Sequence, residues 1–581
     1  MDDTNRAFEG AVDPEVAHNL AEELKDPERL LLAFKQGRLS RRHFVRLAAA
    51  LGIGATATGP LSAAHALASE RDSAPASKRQ EIIIAASTTP PGLDYEFFFG
   101  KDVYDEIFNL NDRLTRWRWK PEGAGYSVAW QAQDYQGITK PRMAERWSVS
   151  PNGRVWTFHL RKGWKSHLGN ELTAHDVKWM VARSFAVKGI GSFFDTIQNL
   201  AGPNSVKVAD RYTVEFHLTG PTPDLLLEMS TFWRGIVDST AARKHATHSD
   251  PWATAWLKTH DAGFGPYKLE KLVPGQEVVM VADDHHPFKA RVKRLRFQIV
   301  PDASSRVALL ARGDVDVAQD LSPQQLHFLA GSPGVKIWSF RGYDLLQSPL
   351  NRNYPPLDNP LVRQALSYAV PYDAIVNQVY KGFALRGAGP LAAADAGYDP
   401  SLFPYTLDLK KAQQLLKQSG HGSGFSTYYT YPTSQPDAEQ MGIQLRTSFA
   451  KIGVHLALKG VPAAAFNQIA FSAKTPLGYY NFGADSPDPH YILAVFYLST
   501  SSNNWGGYKN AAFDKALIQA GKILNWRQRV RAHQQVARIL INDAGWLWIG
   551  QTGFHVATRN NLKNINWYPG EAVDWSVVDF K

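Results

Sequence analysis

The 581-residue chain contains no cysteine. That single absence removes disulfides, cysteine nucleophiles and thiolate metal sites from consideration. Three catalytic signatures are missing as well: there is no HExxH helix, no GxSxG nucleophile elbow and no GxxxxGK phosphate loop, and Ser423 in GHGSGF lacks the elbow spacing. No apolar run is long enough to cross a bilayer of roughly 30 Å. The longest weakly apolar stretch, residues 47–57, is short, and Pro60 breaks it. A charge stripe of one sign is also missing. Lys and Arg exceed Asp and Glu by 64 to 54, a formal +10, but the basic residues are scattered rather than gathered on one face with interleaved aromatics, which excludes nucleic acid as a partner. There is no long linker either.

What is present is apolar and aromatic material, 44% and 12% of the residues, enough to bury large cores in several domains. Near the N-terminus, Ser40-Arg41-Arg42-His43-Phe44 precedes the 47–57 run, and small-residue cleavage sites follow at Ala64-His65-Ala66 or Ala66-Leu67-Ala68. This resembles a twin-arginine secretory signal, with Arg41 and Arg42 as its signal pair and residues 1–39 as a long n-region. Such a signal implies passage through the twin-arginine translocase as an already folded chain. A lipoprotein anchor needs a cysteine, so the expected product is soluble and untethered in the periplasm.

Residues 143–183 carry the densest local information. Trp147 and Val149 alternate with polar neighbours, Asn152-Gly153 offers the positive φ angles of a two-residue hairpin turn, and Trp156, Phe158 and Leu160 alternate again. After a turn at Leu168-Gly169-Asn170, Thr173 is placed to cap a helix, with Asp176 as its capping-box partner and Val177, Met180 and Val181 on one face. The segments AERW, WTFHLRKG and LTAHDVKW within this stretch resemble the signature block of the extracellular solute-binding proteins of peptide/nickel-type ABC importers, family 5, which include the dipeptide- and oligopeptide-binding proteins.

Further blocks follow in the family's order. GFGPYK at 263–268 resembles its GTGPYKL strand entry. In residues 300–316 a helix packs Val307 and Leu310, Gly313 ends it, and Val315 and Val317 alternate into a strand. Asn359 and Pro360 read as N-cap and first residue of a helix striped by Val362, Ala365, Leu366 and Ala369, with Pro371 stopping it. Asp408, then Ala412, Leu415 and Leu416, then Gly420 repeat that logic. The stripes are core. The resemblance, which runs from about Glu81 to the C-terminus, implies an α/β fold: a two-lobed periplasmic-binding-protein clamp (type II, cluster C-like) with an extra N-terminal-side domain. It divides the chain into a signal region at 1–68, lobe I at 80–112, 220–341 and 541–581, an extra domain at 113–219, and lobe II at 342–540.

The resemblance also implies a function without chemistry: capture of a small peptide-like or amine-bearing solute between the lobes of a monomer and delivery to an inner-membrane ABC permease, with no cofactor. An opine, an oligosaccharide or a nickel chelate is the alternative ligand, and a periplasmic hydrolase on the same fold is the alternative class. GADSPDP at 483–489, preceded by Tyr479, Tyr480 and Phe482, resembles the family's segment of the form aromatic-x-x-D-x-x-D-P. In peptide-binding members its first acid pairs with the ligand's α-ammonium group, which places that role on Asp485. Asp488-Pro489 reads as structural, as Asp and Pro do in turns. Candidate cleft aromatics are Trp505, Phe482 and Tyr429, the last within TYYTY, and Phe98 in the loop TTPPGLDYEFFFG. Arg234, Arg341, Arg352 and Arg386 all stand in regions where a ligand carboxylate could be met, and no motif selects one. The histidines do not form a metal set: His159 is expected to face solvent, His167 lies in a turn and His175 in a first helical turn.

Overall fold

A computed structural model of the chain describes residues 80–98, 101–122, 125–128, 135–483, 486, 488–568 and 572–581. Arg41 and Arg42 lie outside the described residues, as does the whole expected signal region. Among the described residues no helix is long and apolar enough to cross a membrane.

The framework is a nine-stranded mixed sheet. Its strands are β1 (Glu81–Ala86), β2 (Tyr267–Val273), β3 (Glu277–Ala282), β4 (Arg294–Ile299), β5 (Val317–Ala318), β6 (Val335–Pro349), β7 (Ala384–Arg386), β8 (Tyr480–Phe482) and β9 (Trp546–Arg559), in the spatial order β2-β3-β4-β1-β5-β9-β6-β8, with β7 also paired to β9. EIIIAA is apolar on both faces, as a central strand must be, and β1 runs parallel between β4 and β5.

Two strands, β6 and β9, are 15 and 14 residues long and carry the chain from one half of the molecule to the other. Residues 335–340 pair with 554–559 beside β5, whereas 344–349 pair with 546–552 beside β8 and β7, and the register breaks between Phe340 and Asp344. Backbones crowd at this crossing. A Cβ on Gly342 would stand 2.6 Å from the Thr552 carbonyl oxygen, and one on Gly553 would stand 2.4 Å from that of Phe340, so only glycine fits.

The remaining sheets are local. Residues 144–217 hold a four-stranded antiparallel sheet, and residues 425–478 a three-stranded parallel one. The helices that matter below are α1 (Ala174–Val187), α2 (Ile190–Ile197), α3 (Pro489–Tyr497), α4 (Ala511–Gly521) and α5 (Trp526–Asn542).

Local sequence signals explain most helix ends. The Thr173 amide donates to Asp176 Oδ2 at 2.8 Å at the start of α1. Asn359 accepts from the Leu361 amide at 2.9 Å ahead of Pro360–Tyr368, and Asp408 from Lys411 at 2.9 Å ahead of Leu409–Gln418. Gly313 ends Ala303–Arg312 at φ +86°. The hairpin differs from expectation: only Gly153, not Asn152, has positive φ, and residues 151–154 form a four-residue loop closed by Gly153 N–H donating to the Ser150 carbonyl at 2.8 Å. Pro151, with φ fixed near −65°, suits the second position of a type I turn, which a two-residue hairpin loop would not use.

Candidate ligand-binding site

The turn after β8 is built against the strand crossing. A Cβ on Gly483 would stand 2.0 Å from the Tyr343 carbonyl oxygen, so glycine is what lets the turn leave β6 so closely. On the preceding strand the Phe482 ring lies 4.0 Å from Phe496 and 4.8 Å from Trp505, and Tyr480 stacks at 5.9 Å on Trp505. Two of the predicted cleft aromatics, Phe482 and Trp505, are thus brought together, both half-buried, at the mouth of the turn. Asp485 itself lies outside the described residues.

Asp488 closes the turn. Its Oδ1 caps α3 by accepting the His490 amide at 2.7 Å, and both its oxygens are gripped by Arg529, Nε to Oδ2 at 2.8 Å and Nη2 to Oδ1 at 3.0 Å. Arg529 is fully buried on α5. Its Nη1 donates to the Gly521 carbonyl at 2.6 Å, and its Nη2 reaches Asp224 Oδ1 at 3.4 Å, 305 residues earlier in the chain. Gln198 Nε2 donates to the other Asp224 oxygen at 3.0 Å. Burial alone would raise the Asp488 carboxyl, but Arg529 overrides it and holds Asp488 well below the usual carboxylate range. Asp224, the more distant acid sharing one guanidinium, is pushed up by burial and by the charge of Asp488.

Next to this pair stand two imidazoles, His490 Nδ1 at 3.0 Å from His533 Nε2. Burial, followed by the Arg529 charge, lowers both, His533 to about 4. Several buried polar atoms on the segments meeting the turn have no hydrogen-bond partner among the described residues: Ser486 Oγ, Gln347 Nε2, Gln551 Nε2 and Asp395 Oδ1. Burial, more than any other cause, pushes the Asp395 carboxyl well above the usual carboxylate range. These groups are hydrogen-bonding capacity that a polar ligand can use.

The other predicted site residues lie elsewhere. Tyr429 does not line a cleft, which corrects the expectation: it is fully buried in the three-stranded sheet, and its hydroxyl donates to the Ala438 carbonyl of Pro436–Ala450 at 3.2 Å. Phe98 is half-buried and folds back on its own loop, its ring against Gly92 and 5.5 Å from Lys258 Nζ. That loop is pinned to α1 and α2, with Asp94 bound by Arg183 and Glu96 accepting the Gly191 amide at 3.0 Å. Among the candidate arginines, Arg234 is buried against Asp195 at 2.6 Å and Arg352 is paired with Asp543, whereas Arg341 is exposed at the strand crossing. His167 is more than a turn residue: Asp261 at 2.7 Å and the Gly265 carbonyl at 3.0 Å hold it, and although burial opposes protonation, those partners raise its pKa.

Arg529 and His533 did not emerge from the sequence reading, yet a signal exists. They occupy i and i+4 of α5 in the stripe that continues through Val536, Ala537, Leu540 and Ile541, so two basic residues sit where core residues belong. Asp224 carries no comparable mark.

A two-lobed α/β clamp whose long strands bring an aromatic-lined turn to their crossing is the architecture of a solute-binding protein. Among the described residues, no group of three or more His, Asp or Glu could hold a metal ion. Residues 139–504 match the family model of the bacterial extracellular solute-binding proteins, family 5, and the chain belongs to that family. It is 26% identical over 493 residues to a probable D,D-dipeptide-binding periplasmic protein of Escherichia coli (strain K12), covering 84% of this chain and 92% of that protein. It is 28% identical over 457 residues to heme-binding protein A of Haemophilus influenzae, covering 73% and 83%. In structure it is similar to a dipeptide-binding protein from Pseudoalteromonas sp. SM9913 in complex with Met-Leu, with TM-score 0.73, 22% identity, and coverage of 86% of this chain and 100% of that one.

Proposed function

We propose that the protein captures a small peptide-like or amine-bearing solute between its lobes in the periplasm and delivers it to an ABC permease of the inner membrane. It acts as a soluble monomer, after export by the twin-arginine translocase, and performs no chemistry. The observation that carries this reading is the turn at Gly483, packed against the crossing of β6 and β9. With lobe I at 80–112, 220–341 and 541–581 and lobe II at 342–540, a ligand at that turn touches both lobes, and hinge closure follows from its better contacts in the closed state. Asp485 supplies the carboxylate for the ligand's ammonium group, and Phe482 and Trp505 the aromatic wall. The peptide class is supported by relatives named for di- and tripeptides.

The test is native mass spectrometry of protein purified from periplasm, then calorimetric titration of what it releases. A short peptide or amino-acid conjugate is expected, and Asp485→Asn should weaken its binding by about 1.5–3 kcal/mol, the scale of a lost charged hydrogen bond. Unchanged affinity removes Asp485 from the site. The similarity to a heme-binding protein favours one second reading, and a bound heme in the same spectrum would establish it in place of the first.

A further inference from the structure

A cavity of about 830 Å³ opens between α2 on one side and α3 and α4 on the other. Its walls include Phe193 and Ile197 of α2 with Phe185 of the preceding α1 on the first side, and Ile518 of α4 with Leu498 just after α3 on the second, and His490 lines it. The hydrogen bonds fix what this imidazole offers. His533 Nδ1 lies 2.8 Å from the Arg529 carbonyl oxygen, which can only accept, so Nδ1 carries the proton. Both rings are neutral near pH 7, for the reasons given above. His533 Nε2 is therefore an acceptor, His490 Nδ1 donates to it at 3.0 Å, and His490 Nε2 is left with a lone pair. No hydrogen bond to that nitrogen occurs among the described residues. Its ring edge lies against Gly521, where a Cβ would come within 2.6 Å of Cε1 and 3.0 Å of Nε2, and Gly521 also lines the cavity. Any side chain at 521 would displace the ring.

We propose that this cavity is a specificity pocket for a neutral aromatic side chain bearing a hydrogen-bond donor, the phenol of tyrosine or the indole of tryptophan, with His490 Nε2 as the acceptor. The inference rests on the peptide-like reading of the ligand. The apolar part of the wall suits an aromatic body, and among the polar groups that also line the cavity, such as Ser192, Thr196 and Thr500, the imidazole is the one whose only free ring position is an acceptor, which matches a single donor. Cationic donors are disfavoured because Arg529, Lys188 and Lys522 line the cavity against one acid, Asp224, whose two oxygens are already engaged by Arg529 and Gln198. Asp485, the proposed ammonium partner, precedes His490 by five residues, a chain span of at most about 18 Å.

The experiment compares Ala-Tyr with Ala-Phe, and Ala-Trp with Ala-(1-methyl-Trp), by calorimetric titration of the full mature protein. The donor-bearing member of each pair is expected to bind about tenfold tighter. His490→Phe, which keeps a ring and loses the acceptor, should erase both preferences, and His490→Gln, whose amide oxygen accepts, should restore part of them. Equal affinities in the wild type, or preferences that survive His490→Phe, overturn the pocket while leaving the carrier reading intact. If none of the four dipeptides binds, the peptide-like reading fails and this inference falls with it. Asp485→Asn should weaken all four alike, which separates the ammonium contact from the side-chain pocket.

Discussion

Two buried charge clusters in this molecule are built on different stoichiometries. The first joins residues near the N-terminal end of the fold to the C-terminal segment: Asp112 accepts Arg142 Nε at 2.6 Å and faces His286 at 3.2 Å, while Arg116 lies 3.9 Å from Asp112 and pairs with Asp574. Two arginines meet two acids there. Burial would raise both carboxyls, but the arginines hold Asp112 and Asp574 below their ordinary range. The second cluster, at the ligand turn, gives one arginine to two acids and forces two histidines neutral. The matched cluster ties residues 112–142 firmly to the C-terminal segment. In the under-matched one Asp224 reaches Arg529 only at 3.4 Å, so the tie between segments 305 residues apart is the weaker of the two, and on the proposed clamp reading it is the tie that parts when the lobes open.

The largest expected effect lies in the matched cluster. Arg116→Met leaves Asp574 and Asp112 buried without their shared cation and should cost about 3–5 kcal/mol of unfolding free energy, read from urea denaturation. Ligand affinity per folded molecule should stay unchanged. If affinity falls while stability holds, the first cluster is not the static one.

Acid should distinguish the clusters by pH window. His533 is neutral in the folded protein down to about pH 4, whereas an unfolded histidine titrates near 6.5. Between those values the unfolded chain binds a proton that the native one does not, so stability falls as pH drops from about 6.5 to about 4, by roughly 3 kcal/mol in total. The depressed acids of the first cluster behave otherwise: their contribution is complete above the ordinary carboxylate pKa, about 4, and is lost only below it. Glu96 and Asp105, raised by burial to about 7 and about 6, add slopes of the opposite sign. The measurement is therefore a difference, wild type against His533→Gln, by denaturation at pH 7 and pH 4.5. The variant should lose less stability, and parallel curves would place the imidazole pair outside the acid response.

What could be read from sequence follows the range of the interaction. Caps at Thr173, Asn359 and Asp408 and the stop at Gly313 are decided within four residues, and the chain carries them legibly. The ordered blocks of the family brought the clamp with them. Tyr429 was misplaced because TYYTY alternates identically whichever face meets the core, and only packing against Pro436–Ala450 decides it. The 151–154 loop is longer than Asn152-Gly153 alone would make it because Pro151 sets a type I turn ahead of Gly153. Asp224 and Arg529 were invisible as a pair, since nothing local to Asp224 refers to a helix 305 residues away.

The smallest effect is the sharpest test of the contrast. Asp224→Asn keeps the side chain's shape and an oxygen for Gln198, and removes only the second, more distant acid from Arg529. Asp488 retains its two-point grip, at 2.8 and 3.0 Å, so the turn stays formed. Unfolding free energy should change by no more than about 1 kcal/mol, the worth of one ordinary hydrogen bond. If the proposed clamp closes across this contact, ligand should dissociate several-fold faster while association is unaltered, since the contact plays no part in encounter. Stopped-flow kinetics reads both rates. A stability loss as large as that of Arg116→Met would mean that the two clusters serve the same structural purpose and that the joint lies elsewhere.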